Sequence, residues 1–277
     1  MKSNNDYLDI DPNQKDGSDN TRQTTFKISK TLKVDNLISN EKYDDALSEI
    51  NRILKTDANY SNWNLKAIIL AKLKRYEESI ECFDKALSLN PSDEIKLNKA
   101  NSIYNWAKVT FFPEGNYEKA LRLIDDALNI IPDSEDPSEF YFLKAEILEA
   151  LNDLAESQKA YLIAYKEFDK LKELENQIEY LNNTSDTLII ITGSYFYNFT
   201  PEKDIMINLV KQDDNEHDPD AIAVMLNDEL IGYVANSPYT LIDEVKSASD
   251  IKKLINDNQN AKILFNYLGE YTIAKLV

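Results

Sequence analysis

His217 is the only histidine of the chain, and it stands among Asp213, Asp214, Glu216, Asp218 and Asp220 in the run KQDDNEHDPDAIAV, Lys211 to Val224. Such a cluster could hold a metal, move a proton, or shape a loop. The acids at Asp214, Glu216, Asp218 and Asp220 alternate as those of an EF-hand calcium loop do. The match then fails, because Pro219 stands where the sharp turn needs glycine and Met225 where a bidentate glutamate belongs. Zinc has less to work with: Cys82 is the only cysteine, it is remote in the chain from His217, and neither has a partner at ligand spacing. A catalytic histidine needs a nucleophile or a second proton-transfer group at fixed geometry, and no such constellation is legible. With five glycines and no G-x-x-x-x-G-K-[ST] run, there is no phosphate-cradling loop either. No catalytic residue, cofactor or metal is therefore expected. What remains is a loop in which Asn215 and Asp218 cap backbone N–H groups.

The elements that position this loop are strands. After Asp186 the apolar period falls to two: TLIIITGSYFY reads as a buried strand with aromatics at its end, and DIMINLVKQ alternates. AIAVMLNDELIGYV reads as a hairpin around Asn227 and Asp228. Two short helices are expected near Tyr239–Ala248 and Ile251–Asp257. The strand pair AKILFNYLGEYTIAKLV follows, giving a small, partly closed barrel with helical decoration.

Upstream of residue 182 the chain repeats itself. Tyr43, Tyr76 and Tyr117 each precede a small residue by three positions (Ala46, Ser79, Ala120); a larger apolar residue follows at Ile50, Phe83 and Ile124, then Ile53, Ala86 and Ala127. A fourth copy keeps Ser157, Tyr161 and Ala164 but has Leu154 at the tyrosine position. Offsets of three and four put these residues on one helical stripe. The segments WNLKAIIL, KLNKANSI and YFLKAEIL align as the partner helices, with Ala67, Ala100 and Ala145 where two helices approach closely. Pro91 and Pro132 stop the second helices of two pairs, since proline has no N–H to continue them. The period of about 34 residues and these features resemble tetratricopeptide repeats. The insertion YNWAKVTFFPEG, Tyr104 to Gly115, is expected to stretch both helices of the third copy or to protrude, with Trp106, Phe111 and Phe112 packed rather than exposed. The resemblance implies protein or peptide binding in a groove lined by the first helices. Its candidates are Asn64, Ile68, Lys72, Asn101, Asn105, Phe142 and Glu146. Lys66, Lys99 and Lys144 recur in register, as packing habits do.

The string LVKQDDNEHDPDAIAVMLNDELIGYV, preceded by TGSYFY, resembles a HIRAN domain: Gly193, the aromatics Tyr195 to Tyr197, Leu209, Val210, Asn215, Asp218, Ala221, Ile222, Val224 and Gly232 follow that family's pattern. The resemblance implies binding of single-stranded DNA at its 3′ end, on a surface containing Tyr195, Phe196, Tyr197, Asn215, His217, Asp218 and Tyr233. Phe196, with Tyr197, matches one stacking platform, and His217 stands where the family has a tyrosine. Asp218 matches an acid that accepts a hydrogen bond from the terminal hydroxyl, and Asn215 a residue that meets the base edge. From the residues alone, Asn215 and Asp218 can equally be turn-shaping and Phe196 core. The chain departs from the pattern in having Tyr195 where the family carries an arginine beside the first aromatic, and, approximately, Ala235 and Asn236 where it carries basic residues after the Gly–His step. From Thr187 to Val277 there are seven lysines, no arginine and fourteen acids, a formal charge of −7, against which phosphate would have to bind.

The whole chain, 277 residues with 43% hydrophobic and 29% charged side chains, has the composition of a globular protein with room for two cores. Its longest apolar run, Thr187 to Gly193, is far short of the ~20 residues of a membrane span. The single cysteine forms no internal disulfide, so a cytoplasmic protein is expected. The expected architecture is α and β in separate domains. A disordered tail covers residues 1–34, an all-α solenoid of three to four helix pairs covers 35–182 with its last helix capping the array, and a mainly-β barrel with short helices covers 187–277. Two function classes remain open: a non-enzymatic adaptor that binds DNA ends through the barrel and a protein through the repeats, or a pure protein-interaction scaffold whose barrel has lost DNA affinity.

Overall fold

The computed structural model describes residues 31–111 and 115–277. The expected tail lies outside the described residues up to residue 30, but its end does not form a tail. Residues 31–39 are helical (α1), and Val34 is fully buried against Ala46, Ile50 and their neighbours. There follow α2 (Tyr43–Leu54), α3 (Tyr60–Lys72), α4 (Tyr76–Leu89), α5 (Asp93–Phe111), α6 (Tyr117–Ile130), α7 (Ser138–Ala150), α8 (Leu154–Ala164) and α9 (Phe168–Asn183). The helices pair as the repeats predict. The small residue near the start of each second helix lets two backbones approach, and where it is serine it also bonds across the gap: Ser79 Oγ donates to the carbonyl of Ala67 at 2.8 Å, and Ser157 Oγ to that of Ala145 at 2.9 Å. Each hydroxyl is thus satisfied where two helices come closest, as a buried polar group must be.

Within each pair the chain reverses through one residue in the left-handed conformation, Glu41, Lys74, Gly115 or Asn152, and it does so again at Lys166 between α8 and α9, with φ between 57° and 63°. The next N–H then reaches back to a carbonyl one turn and a half earlier, for example Arg75 to Leu70 and Asp153 to Leu148, both at 2.9 Å. This is the Schellman closure of a helix end. Only one of the five positions carries the glycine that adopts this conformation without steric cost.

The insertion of the third copy lengthens one helix, not both. α5 has 19 residues against 13 in α3, while α6 and α4 each have 14. Trp106 stacks on Tyr76 with ring centroids 6.1 Å apart and lies under the Lys119 ammonium at 4.7 Å; Phe111 packs on Tyr117 at 5.5 Å. Phe112 lies outside the described residues.

The second part is a closed barrel of six antiparallel strands: β1 (Leu188–Thr192), β2 (Met206–Lys211), β3 (Ile222–Leu226), β4 (Glu229–Val234), β5 (Asn258–Tyr267) and β6 (Tyr271–Leu276), in the order β1-β4-β3-β2-β5-β6. Closure is complete rather than partial, because β6 returns to β1 along its length from Leu188↔Lys275 to Ile191↔Thr272. The turn between β3 and β4 has positive φ at both Asn227 and Asp228, the primed geometry that suits a two-residue hairpin.

β1 reads as a continuous apolar run because both its faces are covered. Ile189 and Ile191 point into the barrel with Leu209, Ile222 and Val224. Leu188 and Ile190 join Leu174 and Leu181 of α9 and Leu162 of α8 in a second core. Each such fully buried side chain contributes about 1.5–3 kcal/mol. Asp186 adds a polar tie, accepting from the Tyr180 hydroxyl at 2.6 Å and from Lys275 Nζ at 3.0 Å. Helix gives way to strand at residues 184–187, where the sequence places its domain boundary. The packing divides elsewhere, between Phe140 and Tyr141. The reason is the second core, which makes α8, α9 and the barrel one body.

The two helices expected after β4 are not formed over those spans. A 3₁₀ turn at Pro238–Thr240 and a short α10 (Ala248–Ile251) stand there instead. The intervening backbone is drawn onto strands: Lys246 N–H donates to the Leu188 carbonyl at 2.8 Å and Ala248 N–H to that of Ala235 at 2.9 Å.

Candidate functional site

The aromatic turn and the acidic loop both adjoin β4, from the strands on either side of it. β4 lies between β1 and β3, and Tyr233 of β4 is opposite both Thr192 and Ala223. Thr192, where the turn begins, and Ala223, just past the end of the loop, therefore lie two strand spacings or about 10 Å apart across β4.

After β1, Gly193 takes φ 77° and the chain winds into a 3₁₀ turn, Ser194–Tyr197, closed by Asn198 at φ 51°. The turn throws its aromatics outward: Tyr195 is 87% and Phe196 83% exposed, so Phe196 is not a core residue. Tyr197 leans on Tyr233 with ring centroids 6.4 Å apart. Burial, and behind it the bond to the Tyr233 hydroxyl, raise the Tyr197 phenol above its ordinary value. Gly232 is what lets the turn sit so close. A Cβ there would come within 2.7 Å of the Thr192 carbonyl oxygen and 3.4 Å of Ser194 Oγ.

Across β4 the acidic loop is shaped from within. Asn215 Oδ1 accepts the N–H groups of His217 and Asp218, each at 3.0 Å, and Asp218 Oδ1 accepts that of Asp220 at 2.9 Å. Two residues that sequence reasoning missed hold the loop from outside. Asn236 Nδ2 donates to both Asp218 carboxylate oxygens, at 3.0 and 3.3 Å, while its Oδ1 accepts Ser249 N–H at 3.0 Å. Lys252 pairs with Asp213 at 2.7 Å, which holds that carboxyl below its ordinary value, and also donates to the Pro219 carbonyl. Asn215 and Asp218 are thus loop-shaping residues. Asp218 Oδ2 is given one donor, Asn236, and a carboxylate oxygen can take a second. His217 is exposed at the tip.

Of the barrel's cations, Lys252 is the one tied into this loop, and its charge is taken by Asp213. Lys262 is paired with Asp204, Lys275 with Asp186, and Lys203 lines a cleft with Tyr180 of α9 and Phe265 of β5. Among the described residues no group of histidine, cysteine and carboxylate side chains is arranged to hold a metal, and no helix is long and apolar enough to cross a membrane.

The groove candidates fall in two units. In the first, Lys72, Asn101 and Asn105 are exposed and Asn64 and Ile68 half-buried. Asn64 Oδ1 accepts from Asn98 Nδ2 at 3.4 Å, linking neighbouring first helices, and Asn105 Nδ2 is occupied by the Asn101 carbonyl at 2.7 Å. In the second, Glu146 is half-buried and Phe142 meets Tyr161 edge-on at 5.5 Å and Tyr165 at 6.2 Å. Phe142 is therefore partly engaged inside its own helix pair. Burial and the bond to Glu149 push the Tyr161 phenol up to about 12. Of the recurring lysines, Lys66 lies over Trp63 and Lys99 pairs with Asp84.

The tetratricopeptide repeat model matches residues 62–93. The matched stretch is the α3–α4 pair with the start of the next helix. The repeat makes protein interaction the general role of the helical array. No curated protein matches the chain.

Proposed function

We propose that the protein is a non-enzymatic adaptor whose HIRAN-like barrel binds the 3′ end of single-stranded DNA on its aromatic rim, while the helical array holds a protein partner. One observation carries the reading. Tyr195 and Phe196 are held almost wholly in solvent by a built turn on one side of β4, and the loop on its other side carries His217 and a carboxylate oxygen with room for a hydroxyl donor. Large exposed aromatics beside a polar loop are what a stacking platform requires.

Stacking has to supply the affinity. The domain is acidic, and Lys252, Lys262 and Lys275 are engaged by carboxylates. Two stacked bases at ~1–3 kcal/mol each give about 2–6 kcal/mol, so Kd lies at about 40 μM and weaker. The salt dependence is correspondingly shallow, because few counterions are released. The test is fluorescence anisotropy of short labelled single strands bearing a 3′ hydroxyl or a 3′ phosphate. The adaptor reading requires preference for the hydroxyl and loss of binding in Phe196→Ala. The ion pairing itself favours a second reading, a protein scaffold with a DNA-blind barrel, and absence of binding at ~20 mM salt would establish that one instead.

A further inference from the structure

A second cleft opens on the other side of the aromatic turn, toward β6 rather than β4. It encloses about 380 Å³, and its walls include Tyr195, Phe199, Tyr239 and Tyr271, with Glu270 at the β5–β6 turn. The floor is fixed: Phe199 packs on the barrel core and Tyr271 on the second core. The upper walls are aromatic rings held in water, Tyr195 at 87% and Tyr239 at 94% exposure. Tyr239 is presented by its own 3₁₀ turn, in which Ser237 Oγ accepts its N–H at 3.4 Å and the Ser237 carbonyl accepts Thr240 Oγ1–H at 3.0 Å. Both turns thus set the backbone from which these rings project beside the cleft.

The chemistry of these walls selects a cation. Aromatic faces carry negative quadrupole potential, and several around one cavity attract an ammonium group at little desolvation cost when that group is alkylated. Glu270 supplies a formal charge of the right sign. Its field, after burial, contributes to holding the Tyr271 phenol above its ordinary value, so carboxylate and ring wall are close enough to interact. No lysine or arginine lines the cleft, and the domain carries an excess of seven acids. A phosphate or carboxylate ligand would be repelled. We infer that this cleft is a binding site for an alkylated ammonium group, carried either by a lysine side chain of a partner protein or by a free quaternary amine. The site is separate from the DNA reading except for Tyr195, which stands between the two.

The test is a titration of the intact, isotope-labelled protein with tetramethylammonium chloride, followed by amide chemical shifts, with sodium chloride at equal ionic strength as control. The expected result is saturable shifts at Tyr195, Tyr239, Glu270 and Tyr271 that sodium does not produce. Tyr239→Ala weakens binding by about 3- to 30-fold for the loss of one cation–aromatic contact, and Glu270→Gln weakens it by removing the site's formal charge. Repeating the titration with a trimethyllysine peptide and with choline assigns the source of the group by which binds more tightly. Identical shifts with sodium, or unchanged affinity in a folded Tyr239→Ala protein, would overturn the inference. Phe196→Ala keeps the two readings apart: it weakens DNA binding and leaves the ammonium shifts in place.

Discussion

Replacing Asn236 by alanine removes the side chain that ties the acidic loop to the segment after β4. Three contacts go: the two from Nδ2 to the Asp218 carboxylate and the one accepted from Ser249 N–H. A hydrogen bond to a charged group is worth about 1.5–3 kcal/mol and an ordinary one about 1 kcal/mol. The site is only part-buried, so water replaces some of this, and the expected loss is about 2–3 kcal/mol. In a unit the size of residues 141–277 that lowers the thermal midpoint by roughly 5–15 °C. Far-ultraviolet dichroism of the barrel reads the loss. Tryptophan fluorescence is the control, since Trp63 and Trp106 both precede the division at Phe140 and should report an unchanged helical unit. In an Asp218→Ala background the same substitution should cost only the Ser249 contact, about 1 kcal/mol. Asn236→Asp places a second carboxylate against Asp218. The pair then has a raised proton affinity when folded, so its destabilisation is present at neutral pH and shrinks as pH falls and one member takes a proton. An Asn236→Ala protein within 0.5 kcal/mol of wild type, or a full cost retained without Asp218, would refute this account of the loop, taking ~0.5 kcal/mol as the ordinary range of surface substitutions.

Other consequences are independent of that loop. Phe196→Ala should leave stability unchanged to about 0.5 kcal/mol, because the ring is mostly in water, yet weaken single-strand binding by about 5- to 150-fold for the loss of one stacked base; melting and anisotropy on the same sample decide it. Lys74→Gly relieves a left-handed residue between α3 and α4 and should stabilise the helical unit by about 0.5–1 kcal/mol, measured by urea denaturation; a loss would refute the strain. Arg52, and behind it Lys33, hold the Glu49 carboxyl down at about 2 against its burial. A depressed folded-state value means stability that is present above about 4.5 and lost as pH falls toward 2. The helical unit should therefore weaken across that interval, and Glu49→Gln should flatten its profile. A tryptophan-monitored titration with identical slopes in both proteins would contradict it.

The fold was legible where period carries information. The helix pairs follow from the spacing of Ala46, Ile50 and Ile53 and its copies, and the hairpin from Asn227–Asp228, because both signals are local. The turns between these helices were not legible, since Glu41, Lys74 and Lys166 adopt the conformation that glycine would have announced. The segment after β4 misled for a different reason. Val245, Ala248, Ile251 and Ile255 space like a helix, but Val245 is taken by the outer core and the rest by the inner one. Tertiary burial there overrides local preference. At the rim, TLIIITGSYFY read as one strand with aromatics at its end, whereas the strand stops at Thr192 and a 3₁₀ turn follows Gly193; whether Phe196 faced core or solvent depends on neighbours remote in sequence. Asn236 and Lys252 were missed because their partners lie 18 and 33 residues away in the chain.

The central claim is that the aromatic rim of the barrel touches single-stranded DNA. Amide chemical-shift mapping of the intact protein with a short oligonucleotide bearing a free 3′ hydroxyl tests it most directly. The account predicts saturable shifts confined to residues 193–198 and 215–218 and the neighbouring Tyr233. Shifts that appear only in the helical array, or none at the rim at millimolar oligonucleotide, would contradict it.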